Sequence, residues 1–229
     1  MNMNQLASLL IAALIIGSSA VSPRKAFHSH NRSVASFSLD QHFYLFNEVI
    51  YRTKIKPALR AFKRKNDPKP LIAVVKNCIK KFDTGVKMPH LILVTKSDFE
   101  DALRKLEQRQ RDIGNFIETS IIMVLCMPSD KGVNPELEIG TSPLFMYLLD
   151  RSDRMDEFLY LERGEPVELI GEGEDRILTK KDIQDFSRLV NEILPPERDE
   201  RIKGDYNHLR ALLKLCEEDP ELTLLMTIF

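Results

Sequence analysis

Residues 119–127 read TSIIMVLCM. No charge interrupts this apolar run, and a continuous run of that length predicts a strand buried on both faces. Working outward, HLILVT at 90–95, between Pro89 and a polar turn at Ser97-Asp98, reads as another buried strand, and 157–161 as a third. Helical patterns lie around them. Residues 40–65 place Phe43, Phe46, Ile50, Ile55, Leu59 and Phe62 at roughly helical spacing, with Pro57 expected to kink the helix and Asn66-Asp-Pro-Lys-Pro70 to end it. Shorter helices are expected at 71–82, 99–111, 143–149 and 205–216, and a loop at 129–135. The clearest helix is 179–194, with Ile183, Phe186, Val190 and Ile193 on one stripe. Thr179 and Asp182 resemble a capping box at its start, and Pro195-Pro196 stops it. Apolar strands alternating with helices predict an α/β fold, a central twisted sheet flanked by helices.

The chain has 229 residues, enough for one medium domain with an appendage or two small ones. It is 43% hydrophobic and 29% charged, which is ordinary for a globular protein. A net charge of −1 argues against a DNA- or RNA-binding protein with a large uniform positive field. That near-neutral sum hides an asymmetry. Residues 24–111 carry 20 Lys/Arg and 8 Asp/Glu, whereas residues 112–229 carry 13 and 26. A basic early half points to a membrane or another anionic partner. No internal repeat is visible.

Residues 6–21, LASLLIAALIIGSSAV, hold no charge. As a helix they would span about 24 Å, somewhat less than the ~30 Å hydrocarbon core. Arg24, Lys25 and Arg32 follow the segment and no Lys or Arg precedes it, so the positive-inside bias keeps the following chain in the cytoplasm. The expected layout is a single-pass anchor at 1–22, a Ser/His-rich juxtamembrane linker at 23–37 and a cytoplasmic domain at 38–229. The alternative is a signal peptide cleaved near Ser18-Ser19-Ala20 and an exported or anchored binding protein. Cys78, Cys126 and Cys216 lie far apart without a CxxC, which favours packed thiols in a reducing compartment.

The motifs of common catalytic chemistries are missing: no GxxxxGK[ST], no GxGxxG, no HExxH and no GxSxG. His28 and His30 stand in the linker without further ligands, and His42, His90 and His208 are each alone. No metal, cofactor or catalytic residue is therefore assigned, and a non-enzyme is expected. Two features suit a planar, phosphate-bearing ligand. One is the aromatic series Phe43, Tyr44, Phe46 and Tyr51, able to stack on a base or simply to fill a core. The other is Leu161-Glu162-Arg163-Gly164-Glu165-Pro166, where a carboxylate can accept from a guanine edge and Arg163 can reach a phosphate. Beyond the aromatics, Lys54, Lys56, Arg60, Lys63, Arg64 and Lys65 form either a solvated helix face or a contact to anionic lipid headgroups.

From about residue 36 the order of these elements resembles the cyclic-dinucleotide-binding domain of the STING family, particularly its bacterial membrane-tethered members. The resemblance runs through the aromatic long helix, HLILVT at 90–95, TSPLFMYLL at 141–149, FLYLE at 158–162, the helix 180–194 and a last charged helix. Its most specific part is Leu161-Glu162 followed by Pro166 and Leu169. The resemblance implies a homodimer that holds a cyclic dinucleotide, cyclic di-GMP as first choice, in a shared cleft. It further implies higher oligomers that perturb the membrane as an antiphage effector. Residue by residue, it implies Phe46 or Tyr51 as the ring that stacks on the base. It implies Glu162 as a base contact, with Arg163, Glu165 and Pro166 in the same ligand-pocket segment. Where many members have a lid arginine this sequence has Glu136 and Glu138, leaving Lys131 and Arg151 as the nearest cations to phosphate.

Overall fold

A computed structural model of the chain describes residues 41–84, 94–114, 116–128, 130–139, 142–160, 162–170 and 175–228. In it the run 119–127 is helical rather than extended. The elements are β1 (Gln41–Asn47), α1 (Glu48–Ile50), a π-helical turn (Tyr51–Ile55), α2 (Lys56–Lys65), α3 (Lys69–Asp83), α4 (Lys96–Glu107) and α5 (Ile117–Cys126). They continue with β2 (Glu136–Glu138), α6 (Pro143–Leu149), α7 (Asp156–Leu159), β3 (Glu165–Pro166), β4 (Arg176–Ile177), α8 (Lys180–Glu192), α9 (Glu200–Glu218) and β5 (Leu222–Ile228). The expected anchor at 1–22, the linker at 23–37 and most of the expected strand at 90–95 lie outside the described residues.

The described fold is mixed α/β. Its five-stranded sheet has the order β2-β1-β5-β4-β3, and every pair is antiparallel. Two expected strands are corrected to helices. Residues 117–126 form α5, in which Ile117, Ser120, Ile121, Ile122, Met123, Val124 and Cys126 are all buried. A helix buried on every side shows no polar stripe, so its sequence has the look of a two-sided strand. Residues 156–159 form α7, and Tyr160 then closes a turn.

The opposite correction falls on 41–47, where the expected helix begins as β1. This strand pairs residue for residue with β5, from Gln41↔Ile228 to Asn47↔Leu222. The two strands form the middle of the sheet and are covered on both faces. Alternation divides their side chains between two cores. Tyr44, Phe46 and Leu225 join α2–α5 in one core. Phe43, Leu45, Leu224 and Met226 join α6–α9 in the other.

Local chemistry sets the joints. Asn47 ends β1 and accepts from Ile50 N–H at 2.9 Å, capping the helix that follows. Pro57 has no N–H for the Thr53 carbonyl, and the chain absorbs this in the π turn just before it, where Lys56 N–H reaches back to Tyr51 O. Thr95/Asp98 and Thr179/Asp182 form complete capping boxes at the starts of α4 and α8. Gly164 turns the chain into β3 at φ 89°, and an added Cβ there would stand 2.7 Å from Ile177 O. No helix among the described residues is long and apolar enough to cross a membrane.

Candidate functional site

The residues singled out from sequence do not form one cluster. Phe46 lies on β1 rather than on the long helix. Strand alternation turns its ring into the core, where it is 0% exposed and packs on Tyr51 at 5.6 Å. Tyr51 opens the π turn and is 1% exposed, and its oxygen accepts from Glu168 N–H at 2.7 Å. Neither ring offers a face to solvent. Glu165 and Pro166 are exposed on β3, and Arg52 donates to Glu165 at 3.0 Å, so this segment lies along the helix that carries Tyr51. Leu161 lies outside the described residues. Glu162 is exposed in the turn after α7, its N–H donating to Glu157 O.

Arg163 points the other way. It pairs with Glu157 on α7, lies 3.8 Å from Asp182 on α8 and sits over the Phe158 ring at 5.6 Å. Arg151, just past α6, stacks on Tyr147 at 3.5 Å and donates to its carbonyl. An open groove of about 470 Å³ runs there along Pro195-Pro196. Lys131 is held by Asp219 at 2.9 Å.

The charge asymmetry becomes spatial. From α1 through α3, residues 48–83 carry 11 Lys/Arg against three Asp/Glu, and they cover one face of the sheet. Residues 142–221, which include the helices on the other face, carry 12 against 21. On the basic layer Arg60 donates to Glu168 at 2.8 Å and Lys63 to the Leu169 carbonyl at 2.8 Å. Arg60 holds the Glu168 carboxyl below its ordinary pKa. Lys54, Arg64, Lys65, Lys69 and Lys80 are exposed and make no ion pair among the described residues. The end of α2 is tied to its surroundings, since Arg111 approaches Asn66 at 3.4 Å and Glu118 accepts from Ile170 N–H beside the Lys63 contact. Phe116 stands at this end, 57% exposed and with φ at 64°, a backbone state uncommon for a bulky side chain.

A second group depends on the extended backbone of 41–47. On the α2–α5 face of the sheet, His42 of β1 lies between Glu138 of β2 and Thr227 of β5, and Tyr44 lies opposite Glu136. Asp175, one residue before Arg176↔Met226, continues the row beyond Thr227. His42 and Tyr44 stack at 5.8 Å, and His42 Nδ1 lies 3.5 Å from Glu136 Oε1. His42, Tyr44, Thr227 and Asp175 are all buried. Burial raises the Tyr44 phenol, helped by Glu136 and opposed by the neighbouring Thr227 hydroxyl. Burial also pushes Asp175 up to about 6, opposed by a hydrogen bond from Thr119. The available signal was the alternation of His42 and Tyr44 inside an apolar run.

The remaining nucleophiles have structural surroundings. The three cysteines are buried and their thiols are raised by desolvation, Cys216 to about 12. Lys81 donates to Val124 O in the last turn of α5, and burial lowers its amine. Among the described residues no three His, Cys, Asp or Glu stand close enough together to hold a metal ion. Compared with protein-family models, curated proteins and solved structures, the chain matches none.

Proposed function

We propose that the chain is a non-catalytic, membrane-anchored domain that lays its basic α1–α3 layer against anionic lipid headgroups, residues 6–21 serving as the anchor. The observation that supports it is the set of exposed cations that make no ion pair among the described residues, Lys54, Arg64, Lys65, Lys69 and Lys80. Charges already paired in the fold have little to gain from a surface. Unpaired ones each gain about 1 kcal/mol near an anionic leaflet. The acidic α6–α9 layer is repelled by the same surface, which orients the domain with its basic side down.

The test uses the full chain, with a dye at position 66, on phosphatidylcholine vesicles with and without phosphatidylserine. Energy transfer from labelled lipid reports how closely the layer approaches, whatever residues 6–21 do. Transfer is expected to rise with phosphatidylserine, and replacing the five cations by Gln should abolish the rise. Equal transfer on both vesicles overturns the reading.

A second reading is the cyclic-dinucleotide receptor that the resemblance implies. It is favoured by one juxtaposition: the 165–168 segment meets the helix carrying Tyr51 through Arg52–Glu165 and Glu168 N–H to the Tyr51 oxygen. It requires a buried ring to become available to a base, for instance on pairing of two chains. Calorimetry of the full chain with a panel of cyclic dinucleotides decides it, and no heat with any of them removes it.

A further inference from the structure

Three of the five large apolar side chains exposed among the described residues stand on the acidic side of the sheet: Met146 at 58%, Tyr160 at 46% and Leu194 at 80%. Their neighbours join them into one belt. Leu144 and Leu148 turn α6 into the core, which puts Met146 outermost with Phe145 and Tyr147 half-buried on its flanks. The Phe145 ring meets Tyr160 edge-on at 5.7 Å. On the other flank the Tyr147 hydroxyl donates to the Leu194 carbonyl at 2.6 Å. Ile193 is the last buried residue of the α8 stripe, and Pro195 bars a further helical turn, so Leu194 stays outside the core. The belt runs into the groove of about 470 Å³ that Leu194 and Pro195 line.

Contiguous apolar surface on a charged protein marks a binding face, and its rim sets the occupant's chemistry. Residues 142–162 carry five Asp/Glu against two Arg, and residues 192–199 three against one. Asp150, Asp153, Glu162, Glu192 and Glu197 are exposed and make no ion pair among the described residues. Of the three arginines, Arg151 is already stacked on Tyr147. Such a rim repels an anionic lipid leaflet, and a second copy of the belt would bring the same acids against it. A basic partner is attracted. The belt consists of α6 and the turns after α7 and α8, with no strand edge to extend. A partner must therefore satisfy its own backbone hydrogen bonds, as a helix does.

We infer that the belt through Tyr160, Met146 and Leu194 is the docking site for a basic amphipathic helix of a partner protein. Apolar side chains three and four residues apart on that helix cover Met146 and Leu194, and its Lys or Arg residues answer the acids of the rim. The belt lies on the opposite face of the sheet from the basic layer, so the inference is independent of lipid binding.

The probe is a fluorescent peptide of Leu and Lys, about 14 residues or four helical turns long, with Leu at helical spacing. It is added to the full chain in phosphatidylcholine vesicles, with empty vesicles as the blank, and binding is read by anisotropy. It is expected to bind at least about tenfold tighter than a shuffled peptide without an apolar face, and than the same pattern in Leu and Glu. Met146→Gln and Leu194→Ser, both at exposed positions where folding is not at risk, should each weaken it about tenfold. Glu192→Gln with Glu197→Gln should narrow the preference for Lys over Glu. No binding, equal binding of the amphipathic and shuffled peptides, or an unchanged preference in the Glu192/Glu197 variant overturns the inference. So does full binding by the Met146→Gln/Leu194→Ser double variant. Energy transfer between two dye-labelled populations of the full chain addresses the other occupant. Transfer that the same double variant abolishes would assign the belt to a second copy and overturn the inference as well.

Discussion

Phe46 shows how much one residue's setting depends on its element. On a helix its ring would have been free to face a cleft, but on β1 it is sealed between the sheet and α2–α5. Truncating a fully buried Phe removes its burial energy and leaves a cavity, so Phe46→Ala is expected to lower stability by about 3–5 kcal/mol in denaturant unfolding. Asp175 gives a prediction with a sign. Its folded pKa is raised from 3.8 to about 6 by burial, so its contribution to stability is present below the unfolded value and is lost as pH rises through the folded one. Asp175→Asn cannot ionise and escapes that loss. The variant should be the more stable protein at pH 8, by about 2–3 kcal/mol, with the gap closing toward pH 4. Unfolding curves at the two pH values check this. Phe116 belongs to this scale too: Phe116→Ser should reduce lipid-to-dye transfer on anionic vesicles and leave stability unchanged, as its ring is exposed.

Among the elements, α8 was the most readable. Its apolar stripe, its Thr179/Asp182 box and its Pro-Pro stop all stand in the sequence, and the helix runs Lys180–Glu192. Because the box satisfies two otherwise orphaned N–H groups, Thr179→Ala should cost about 1 kcal/mol, measurable by thermal unfolding. α5 and β1 were exchanged in type for a common reason. Each is buried on both sides, so neither carries the polar stripe or regular alternation that distinguishes period 3.6 from period 2. β1 was further masked by the true helix that follows it, whose Ile55, Leu59 and Phe62 extend a helical spacing back through Phe46. The polar row was lost with β1, because His42 and Tyr44 share a face only when the backbone is extended.

At the level of the whole molecule, a sheet separates a basic helical layer from an acidic one, and its centre pairs the start of the described chain with its end. β5 supplies one of the two central strands. Its seven residues, LTLLMTI, are an apolar run near the end of the sequence. Removing residues 222–229 is therefore expected to abolish cooperative unfolding altogether rather than to trim an appendage, as circular dichroism against temperature would show. The layered charge makes a second expectation. Anionic-vesicle contact through exposed cations should weaken steeply as salt rises and the screening length falls below about 8 Å.

The sequence alone determined those properties that depend on neighbours along the chain. These are the cap and stop of α8, the break at Asn66–Pro70, the helices α3, α6 and α9, and the split between a basic first half and an acidic second half. Only the tertiary structure decided which apolar runs are strands, because burial on both sides erases the periodicity that would have told them apart. It alone placed β5 beside β1, a pairing across the full length of the domain that no local propensity encodes. The same pairing put His42, Thr227 and Asp175 in one row, where burial raises the Asp175 carboxyl above its value in water.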